Sequence, residues 1–305
     1  MGNCVHTDLG NSTVFDYTTN PDFWQLIDNF TQNETAEDYW YQDIAEPCHY
    51  TFCSSYIGGI PAFLGITCFL GIIGNVALGV ALVACPWFWD RCQPGKVELF
   101  LLAVGGLIFT LTLPFFALGI GWRWAFDDRL CQAIHGLKSG SVFAQGLMVV
   151  GTACRSPRGL PEPLLPALLW MMGFLCAIPA VVASSTDGLC IPSRLSGFHA
   201  WSLVHVTFCL VILVLLPLIV VLATPCLEKG YPRWNVTWVF YLFWGPYGVT
   251  TFLNMIQEET VFSRNCRFLN GLNSFLRLSE AWGMLHCCLS PFLILGLGFL
   301  CRKTA

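Results

Sequence analysis

Apolar residues fill most of the chain in long runs that contain no Asp, Glu, Lys or Arg. These charge-free runs cover 56–84, 99–121, 164–186, 195–227 and 234–257. Two further runs hold isolated charges, with Lys138 in 132–153 and both Arg277 and Glu280 in 268–301. A helix needs about 20 apolar residues to cross a bilayer, and lipid offers its backbone no hydrogen-bond partners. The pattern therefore predicts an all-α membrane protein with a seven-transmembrane helix bundle.

Short connections separate the predicted helices. Their predicted bounds are 56–84, 98–121, 131–153, 164–184, 199–224, 234–256 and 272–300. They divide the chain into an N-terminal tail at 1–55, the helix bundle at 56–300 and a short C-terminal tail at 301–305.

Composition agrees with a membrane protein and argues against an enzyme. Only 11% of the residues are charged, whereas a soluble domain carries about 25%. No nucleotide-binding loop, Ser/His/Asp set or His-Glu-X-X-His motif occurs. Neighbouring residues on a helix face different directions, so His286, Cys287 and Cys288 are not expected to share a metal. We expect no metal, no cofactor and no nucleic-acid partner.

The first 55 residues differ from the rest in charge. They hold nine acidic residues and no Lys or Arg, while the remaining 250 carry a net charge of +5. The acidic residues are Asp8, Asp16, Asp22, Asp28, Glu34, Glu37, Asp38, Asp43 and Glu46. Low hydrophobicity with high net charge predicts a disordered tail. Its start shows no signal-peptide pattern.

Glycosylation sequons indicate the side of the membrane on which this tail lies. Asn11, Asn29 and Asn33 each begin an Asn-X-Ser/Thr sequence, and such sites are glycosylated only on the lumenal side. The tail is therefore predicted to be extracellular, and seven helices place the C-terminus inside. Eight basic residues in the predicted inside segments, against five outside, agree with the positive-inside rule.

Motifs on six of the predicted helices favour a receptor over a channel or a transporter. In chain order they are Gly74-Asn75, Thr112-Leu113-Pro114, Trp170 with Pro179, Leu216-Pro217, Trp244-Gly245-Pro246-Tyr247 and His286-Cys287-Cys288-Leu289-Ser290-Pro291. Together they resemble the chemokine receptor family over roughly residues 48–300. The resemblance implies a rhodopsin-like receptor fold in the plasma membrane, with chemokines of the CXC and CC types as partners. A transporter would show repeat symmetry, which we do not detect.

Four positions depart from the signalling members of that family. The Asp-Arg-Tyr triplet after helix three is Arg155, Ser156 and Pro157 here, and the Asp of helix two is Gly106. The Tyr late in helix five is Pro225, and the Tyr of the helix-seven motif is Ile294. This pattern favours an atypical receptor that binds chemokine without coupling to G protein. The alternative is a G-protein-signalling chemokine receptor with degenerate switch motifs.

Other segments resemble the atypical, non-signalling branch of the family. They are Met1-Gly2-Asn3-Cys4, Pro47-Cys48-His49, Phe143-Ala144-Gln145, Gly188-Leu189-Cys190 and Leu278-Ser279-Glu280-Ala281. This resemblance implies promiscuous binding of chemokines, which are scavenged, transported or buffered, with traffic through early and recycling endosomes. The short segment after Cys301 departs from that branch. Pairing with itself or with other receptors is left open.

The family resemblance also implies two disulfides on the extracellular side. One joins Cys131 to Cys190, and the other joins Cys48 to Cys266. Cys53 competes with Cys48 for Cys266, so the second pairing has an alternative.

Two sets of residues are predicted to bind the ligand. In the tail, Asp38, Tyr39, Tyr41 and Asp43 would attract a basic protein, and the resemblance suggests tyrosine sulfation there. The alternative is that these tyrosines are only apolar contacts. Within the bundle, charges are costly and usually functional, which singles out Lys138 and Glu280. Glu280 either meets the N-terminus of the partner or forms a structural ion pair with Lys138.

Overall fold

In a computed structural model, the structure describes residues 53–85, 95–122, 126–153, 164–186, 190–192, 199–227, 236–259 and 266–303. Almost all of them are helical. The helices are α1 Cys53–Ala84, α2 Lys96–Trp122, α3 Asp128–Ala153, α4 Leu164–Cys176, α5 Ile178–Ala183, α6 His199–Leu210, α7 Leu216–Leu227, α8 Val239–Glu259 and α9 Cys266–Lys303.

Five helical stretches are long and apolar enough to span a membrane. They are Gly59–Ala84, Lys96–Ile120, Leu164–Ala183, His199–Ala223 and Phe268–Leu297. Their outward side chains are large and apolar, with Ile66 62%, Val83 67% and Leu222 66% exposed. Such side chains are stable only against lipid, so the chain is a multi-pass membrane protein.

The predicted third and sixth helices, α3 and α8, are present but are more polar than those five spans. In α3 the five consecutive side chains Ser141–Gln145 are all buried, so its neighbours enclose it. An enclosed helix contacts little lipid and tolerates polar residues that an outer helix does not. The same helix carries Lys138, which is also buried, whereas Gln132 and His135 are half-buried.

Prolines divide two of the predicted helices. The fourth is interrupted at Ala177, so that α4 and α5 meet at a turn two residues before Pro179. The fifth contains the π-helical turn Val211–Leu215 between α6 and α7, directly before Pro217. Proline has no N–H and its ring crowds the preceding turn, so it disturbs the regular helical ladder, and at these two positions the helix is interrupted.

A short antiparallel hairpin is the main correction to the all-α prediction. Strand β1, Ser184–Thr186, pairs with β2, Cys190–Pro192, with Thr186 opposite Cys190. The hairpin follows α5 directly and packs against the start of α3. We call this end of the bundle the hairpin end.

The ends of the first and last helices also differ from the sequence prediction. Helix α1 begins at Cys53, so the last residues assigned to the 1–55 tail are helical. Helix α9 begins at Cys266 instead of 272 and continues to Lys303. The first three residues of the predicted 301–305 tail therefore belong to this helix.

Two buried clusters hold the helices together. The larger one is built around Phe109, Phe143, Phe240 and Trp244, and Phe109 meets Trp244 edge to face at 5.5 Å between ring centroids. The smaller one joins α1, α2 and α9 at the end opposite the hairpin, through Leu78, Leu82, Leu99, Ala103 and Ile294. Packing at both ends fixes the position of α9 against α1 and α2.

Candidate ligand-binding site

An ion pair inside the bundle is the centre of the candidate site. Lys138 on α3 donates from Nζ to Oε1 of Glu280 on α9. Their side chains are only 11% and 15% exposed. The structure thus brings together the two bundle residues that the sequence singled out. Of the two alternatives for Glu280, contact with the partner's N-terminus or an ion pair with Lys138, the structure contains the ion pair.

An aromatic ring gives the lysine a second favourable contact. Nζ of Lys138 lies 4.8 Å from the ring centroid of Phe116 on α2, within cation–π range. Phe116 is buried and meets the ring of His135 edge to face at 5.3 Å. The ammonium of Lys138 is therefore shared between a carboxylate and an aromatic face.

The hairpin is attached to α3 on the same helical face as Lys138. Cys131 and Cys190 form a disulfide with Cα atoms 5.5 Å apart, which is the first pairing that the resemblance implies. Nε2 of His135 lies 3.4 Å from the carbonyl oxygen of Cys190. Because Cys131, His135 and Lys138 follow one another at helical spacing, the disulfide, the imidazole and the ammonium form three successive layers.

These same residues form a sulfur and nitrogen cluster that resembles a metal site. One ligand atom from each of Cys131, His135 and Cys190 lies within 4.8 Å of the others. Both sulfurs are already joined to each other, so they offer no thiolate for a metal.

Helices α8 and α9 are joined tightly beside Glu280. Oγ1 of Thr250 lies 2.8 Å from Oγ of Ser279, the residue before Glu280. One turn further along α9, a Cβ on Gly283 would lie 2.7 Å from Cε3 of Trp244, so this position requires glycine. The backbone that carries Glu280 is thereby held against α8.

Trp282 is a positioning residue that the sequence did not reveal. Pro246 leaves the carbonyl of Leu242 without its usual helical donor, four residues before it. Nε1 of Trp282 on α9 donates to this carbonyl at 3.2 Å, and its ring stacks on Phe243 at 4.8 Å. The sequence shows a proline in one helix and a tryptophan in another, but only the packing of the two helices reveals that the tryptophan donates to the carbonyl that the proline leaves without a donor.

A small cavity with a mixed polar and apolar lining lies in the middle of the bundle beside Gly106, the position where the family resemblance led us to expect an Asp. Asn75, Gly106, Gln145, His286 and Ser290 contribute its polar lining. Nδ2 of Asn75 donates to the carbonyls of Gly71 at 2.8 Å and Cys287 at 2.9 Å. A Cβ on Gly106 would lie 2.5 Å from Oδ1 of Asn75, so the asparagine amide occupies the space of the missing side chain.

Several predicted site residues lie outside the described part of the chain. They are Asn11, Asn29, Asn33, Asp38, Tyr39, Tyr41, Asp43, Cys48, Arg155, Ser156 and Pro157. Cys266 is the first residue of α9, and its pairing stays a prediction. Pro225 lies within α7, and Ile294 packs in the smaller cluster.

Comparison with known proteins identifies relatives over nearly the whole chain. No protein-family model matches it. Atypical chemokine receptor 1 of Macaca mulatta is 30% identical, with 96% of this chain and 90% of the relative covered. The protein of the same name from Saimiri boliviensis boliviensis is 31% identical over 100% of this chain and 93% of its own length. The chain belongs to the atypical chemokine receptor 1 family.

This membership confirms the family resemblance carried by the motifs. The Mus musculus relative is 29% identical, with 100% of this chain and 92% of the relative covered. Identity near this level over the full length makes the chain a divergent member of the atypical chemokine receptor 1 family. The named relatives are receptors, which agrees with the absence of catalytic motifs from the sequence.

Proposed function

We propose that this chain is a chemokine receptor that binds its ligand without activating a G protein. The observation that carries this proposal is the similarity over 96% of the chain to proteins named atypical chemokine receptor 1. Arg155, Ser156 and Pro157 stand in place of the Asp-Arg-Tyr triplet, and this replacement supports the absence of coupling. Ligand binding then serves to scavenge, transport or buffer the chemokine.

The proposed topology has seven membrane-spanning helices with the N-terminus outside the cell. Five stretches meet the length and apolarity of a span, and α3 and α8 pack among them. The sequons at Asn11, Asn29 and Asn33 support an extracellular tail. In this orientation the hairpin end, with its disulfide, faces the oxidising exterior at the plasma membrane. From there the receptor cycles through endosomes.

The tail is the proposed site of first contact with the ligand. Chemokines of the family's CXC and CC types are basic, and the tail has nine acidic residues without a single Lys or Arg. Opposite charges raise the association rate and make it depend on salt, without requiring a fixed tail conformation. Recognition by charge suits a promiscuous receptor, since it demands little of the ligand's detailed shape.

The arrangement around Gly106 supports the proposed lack of coupling. An active receptor must bind G protein better in one conformation than in another, so its switch residues must differ in contacts between the two. At Gly106 no side chain is present to make such contacts, and Asn75 is already bonded to α1 and α9 backbone. Restoring the arginine alone, as Ser156→Arg, is therefore not expected to give G-protein activation.

Labelled CXC and CC chemokines added to cells that express this chain test the proposal. We expect saturable binding and loss of chemokine from the medium, with no dose-dependent calcium or cyclic-nucleotide response. Cells that carry a signalling chemokine receptor for the same ligand serve as the positive control. A dose-dependent response in cells with this chain would establish the signalling alternative, and absence of all binding would refute the receptor assignment.

A further inference from the structure

The acidic groups of the helices leave a positively charged ligand few partners inside the bundle. Among the acidic side chains that the structure describes, Asp127 and Asp128 are exposed near the start of α3. Glu98 lies at the far end of the bundle, where its Oε2 accepts from the N–H of Gly95. Glu280 is therefore the described carboxylate that a cation entering from the hairpin end would meet inside the bundle, beyond the exposed Asp127 and Asp128.

That carboxylate is already neutralised by a residue of the chain itself. Lys138 donates to Oε1 of Glu280, and the ring of Phe116 lies 4.8 Å from the same ammonium. Both charged side chains are largely buried, at 11% and 15% exposure. A buried ion pair is costly to break, because the remaining charge loses its partner in a medium that solvates it poorly.

Contacts on both helices hold the backbone on either side of the pair. On the α9 side, the Thr250–Ser279 hydrogen bond and the close contact of Gly283 with Trp244 hold the backbone on both sides of Glu280. On the α3 side, the disulfide of Cys131 and the contact of His135 with Cys190 hold the turns that precede Lys138. A ligand ammonium that takes the place of Lys138 on Oε1 of Glu280 must displace it.

Such a displacement yields no net electrostatic gain. One ammonium replaces another on the same carboxylate, and Lys138 is left buried without its counter-ion. We propose, resting on the proposed function, that Lys138 is a specificity-determining residue. It occupies Glu280 and so prevents this carboxylate from binding the positively charged N-terminus of the chemokine. The ligand is recognised by the acidic tail and the hairpin end, and its residues before the first cysteine contribute little.

Two forms of one labelled basic CXC chemokine test this inference, one of full length and one truncated just before its first cysteine. On cells that express the wild-type chain, the two dissociation constants should agree within about twofold, well below the tenfold change that equals about 1.4 kcal/mol. The variant Lys138→Met removes the charge and keeps the length of the side chain. It should bind the full-length form at least about tenfold more tightly than the truncated form, because Glu280 is then unpaired.

Two further variants control for folding and for charge. Lys96→Met removes an exposed lysine at the opposite end of the bundle and should leave the ratio of the two constants unchanged. The double variant Lys138→Met with Glu280→Gln removes both charges, so it folds without an unpaired carboxylate and should again bind both forms alike.

A tenfold loss on truncation in the wild type would overturn the inference while leaving the receptor function intact. An unchanged ratio in surface-expressed Lys138→Met would overturn it as well. If Lys138→Met fails to reach the surface, Lys138→Gln, which keeps a polar side chain beside Glu280 without the charge, takes its place and should show the same preference for the full-length form. Absence of binding by both forms to the wild type would refute the proposed function and the inference together.

Discussion

Several individual side chains in this protein donate to a backbone carbonyl that lacks a donor, or fill the space beside a glycine, on a neighbouring helix. Trp282 donates to the carbonyl that Pro246 strips of its donor, and Asn75 fills the space beside Gly106. In lipid, an unsatisfied backbone carbonyl or an unfilled gap has no water to compensate for it. Each of these contacts predicts a measurable change when one atom group is altered.

Replacing the indole of Trp282 by phenylalanine should lower stability. Trp282→Phe keeps a ring against Phe243 but removes the hydrogen bond to the carbonyl of Leu242. Interhelical hydrogen bonds in membranes are worth about 0.6–2 kcal/mol, so we expect a loss in that range. Thermal unfolding of the purified protein in detergent measures it. Trp201→Phe, at a tryptophan of similar exposure on α6, is the control and should change the midpoint less.

Adding a methyl group at Gly106 should be destabilising. Its Cβ would lie 2.5 Å from Oδ1 of Asn75, and that side chain cannot move without breaking two hydrogen bonds. Overpacking of this kind costs about 1–3 kcal/mol. Gly79→Ala, on the neighbouring helix with nothing within 4 Å of its Cβ, is the matched control. Equal unfolding midpoints for the two variants would contradict this account.

At the scale of elements, α8 joins α3 to α9. Tyr241 donates from its hydroxyl to the carbonyl of Gly146 on α3 at 2.6 Å, and the ring of Phe240 packs over the same glycine. On its other side α8 is joined to α9 by the Thr250–Ser279 hydrogen bond and the Trp282 contact. The small residues Gly146 and Gly283 allow this close approach, as is common where membrane helices pack.

The approach of α9 to α8 should be sensitive to the size of the residue at 283. In Gly283→Ala, the new methyl group would lie 2.7 Å from Trp244, so the helices must separate or the indole must move. We expect a loss of about 1–3 kcal/mol in stability and a change in Trp fluorescence. Gly296→Ala places the same methyl group on α9 with nothing within 4 Å and should leave both unchanged.

The whole molecule combines a net-negative tail with a net-positive body. The tail contributes nine negative charges, while the other 250 residues sum to +5. The proposed capture of a basic ligand by the tail therefore does not depend on Glu280, the interior carboxylate that Lys138 already pairs. The contribution of the tail can for this reason be tested by itself.

Neutralising the charged part of the tail should slow association. The combined variant Asp38→Asn, Tyr39→Phe, Tyr41→Phe and Asp43→Asn removes two carboxylates and two tyrosine hydroxyls that sulfation would modify. Electrostatic steering raises association rates by about 10-fold or more at low salt, so removing two of the nine acidic side chains and both predicted sulfation sites should lower the rate by part of that factor. Surface plasmon resonance with a basic chemokine at several salt concentrations measures this rate. A wild-type rate at low salt would refute capture by the tail.

The sequence by itself determined the class of the protein and most of its helices. Long charge-free runs are a local property, because each spanning helix must satisfy its own backbone hydrogen bonds. The motifs around Pro114, Pro246 and Pro291 pointed to the family that full-length comparison then established. Helix ends were less accurate, as at Cys266, since the last turns depend on what packs against them.

Only the tertiary structure decided which distant residues meet. Lys138 and Glu280 are 142 residues apart, and their pairing depends on how α3 and α9 are rotated about their axes, which no local pattern specifies. The same holds for Trp282 with Leu242, and for the asparagine that occupies the space beside Gly106. The hairpin also escaped prediction, because three-residue strands have too short a pattern and owe their position to the Cys131–Cys190 disulfide. Whether a segment is helical depends on residues close together in the sequence. The chemistry of the site depends on how the helices are rotated and which of them touch across the bundle.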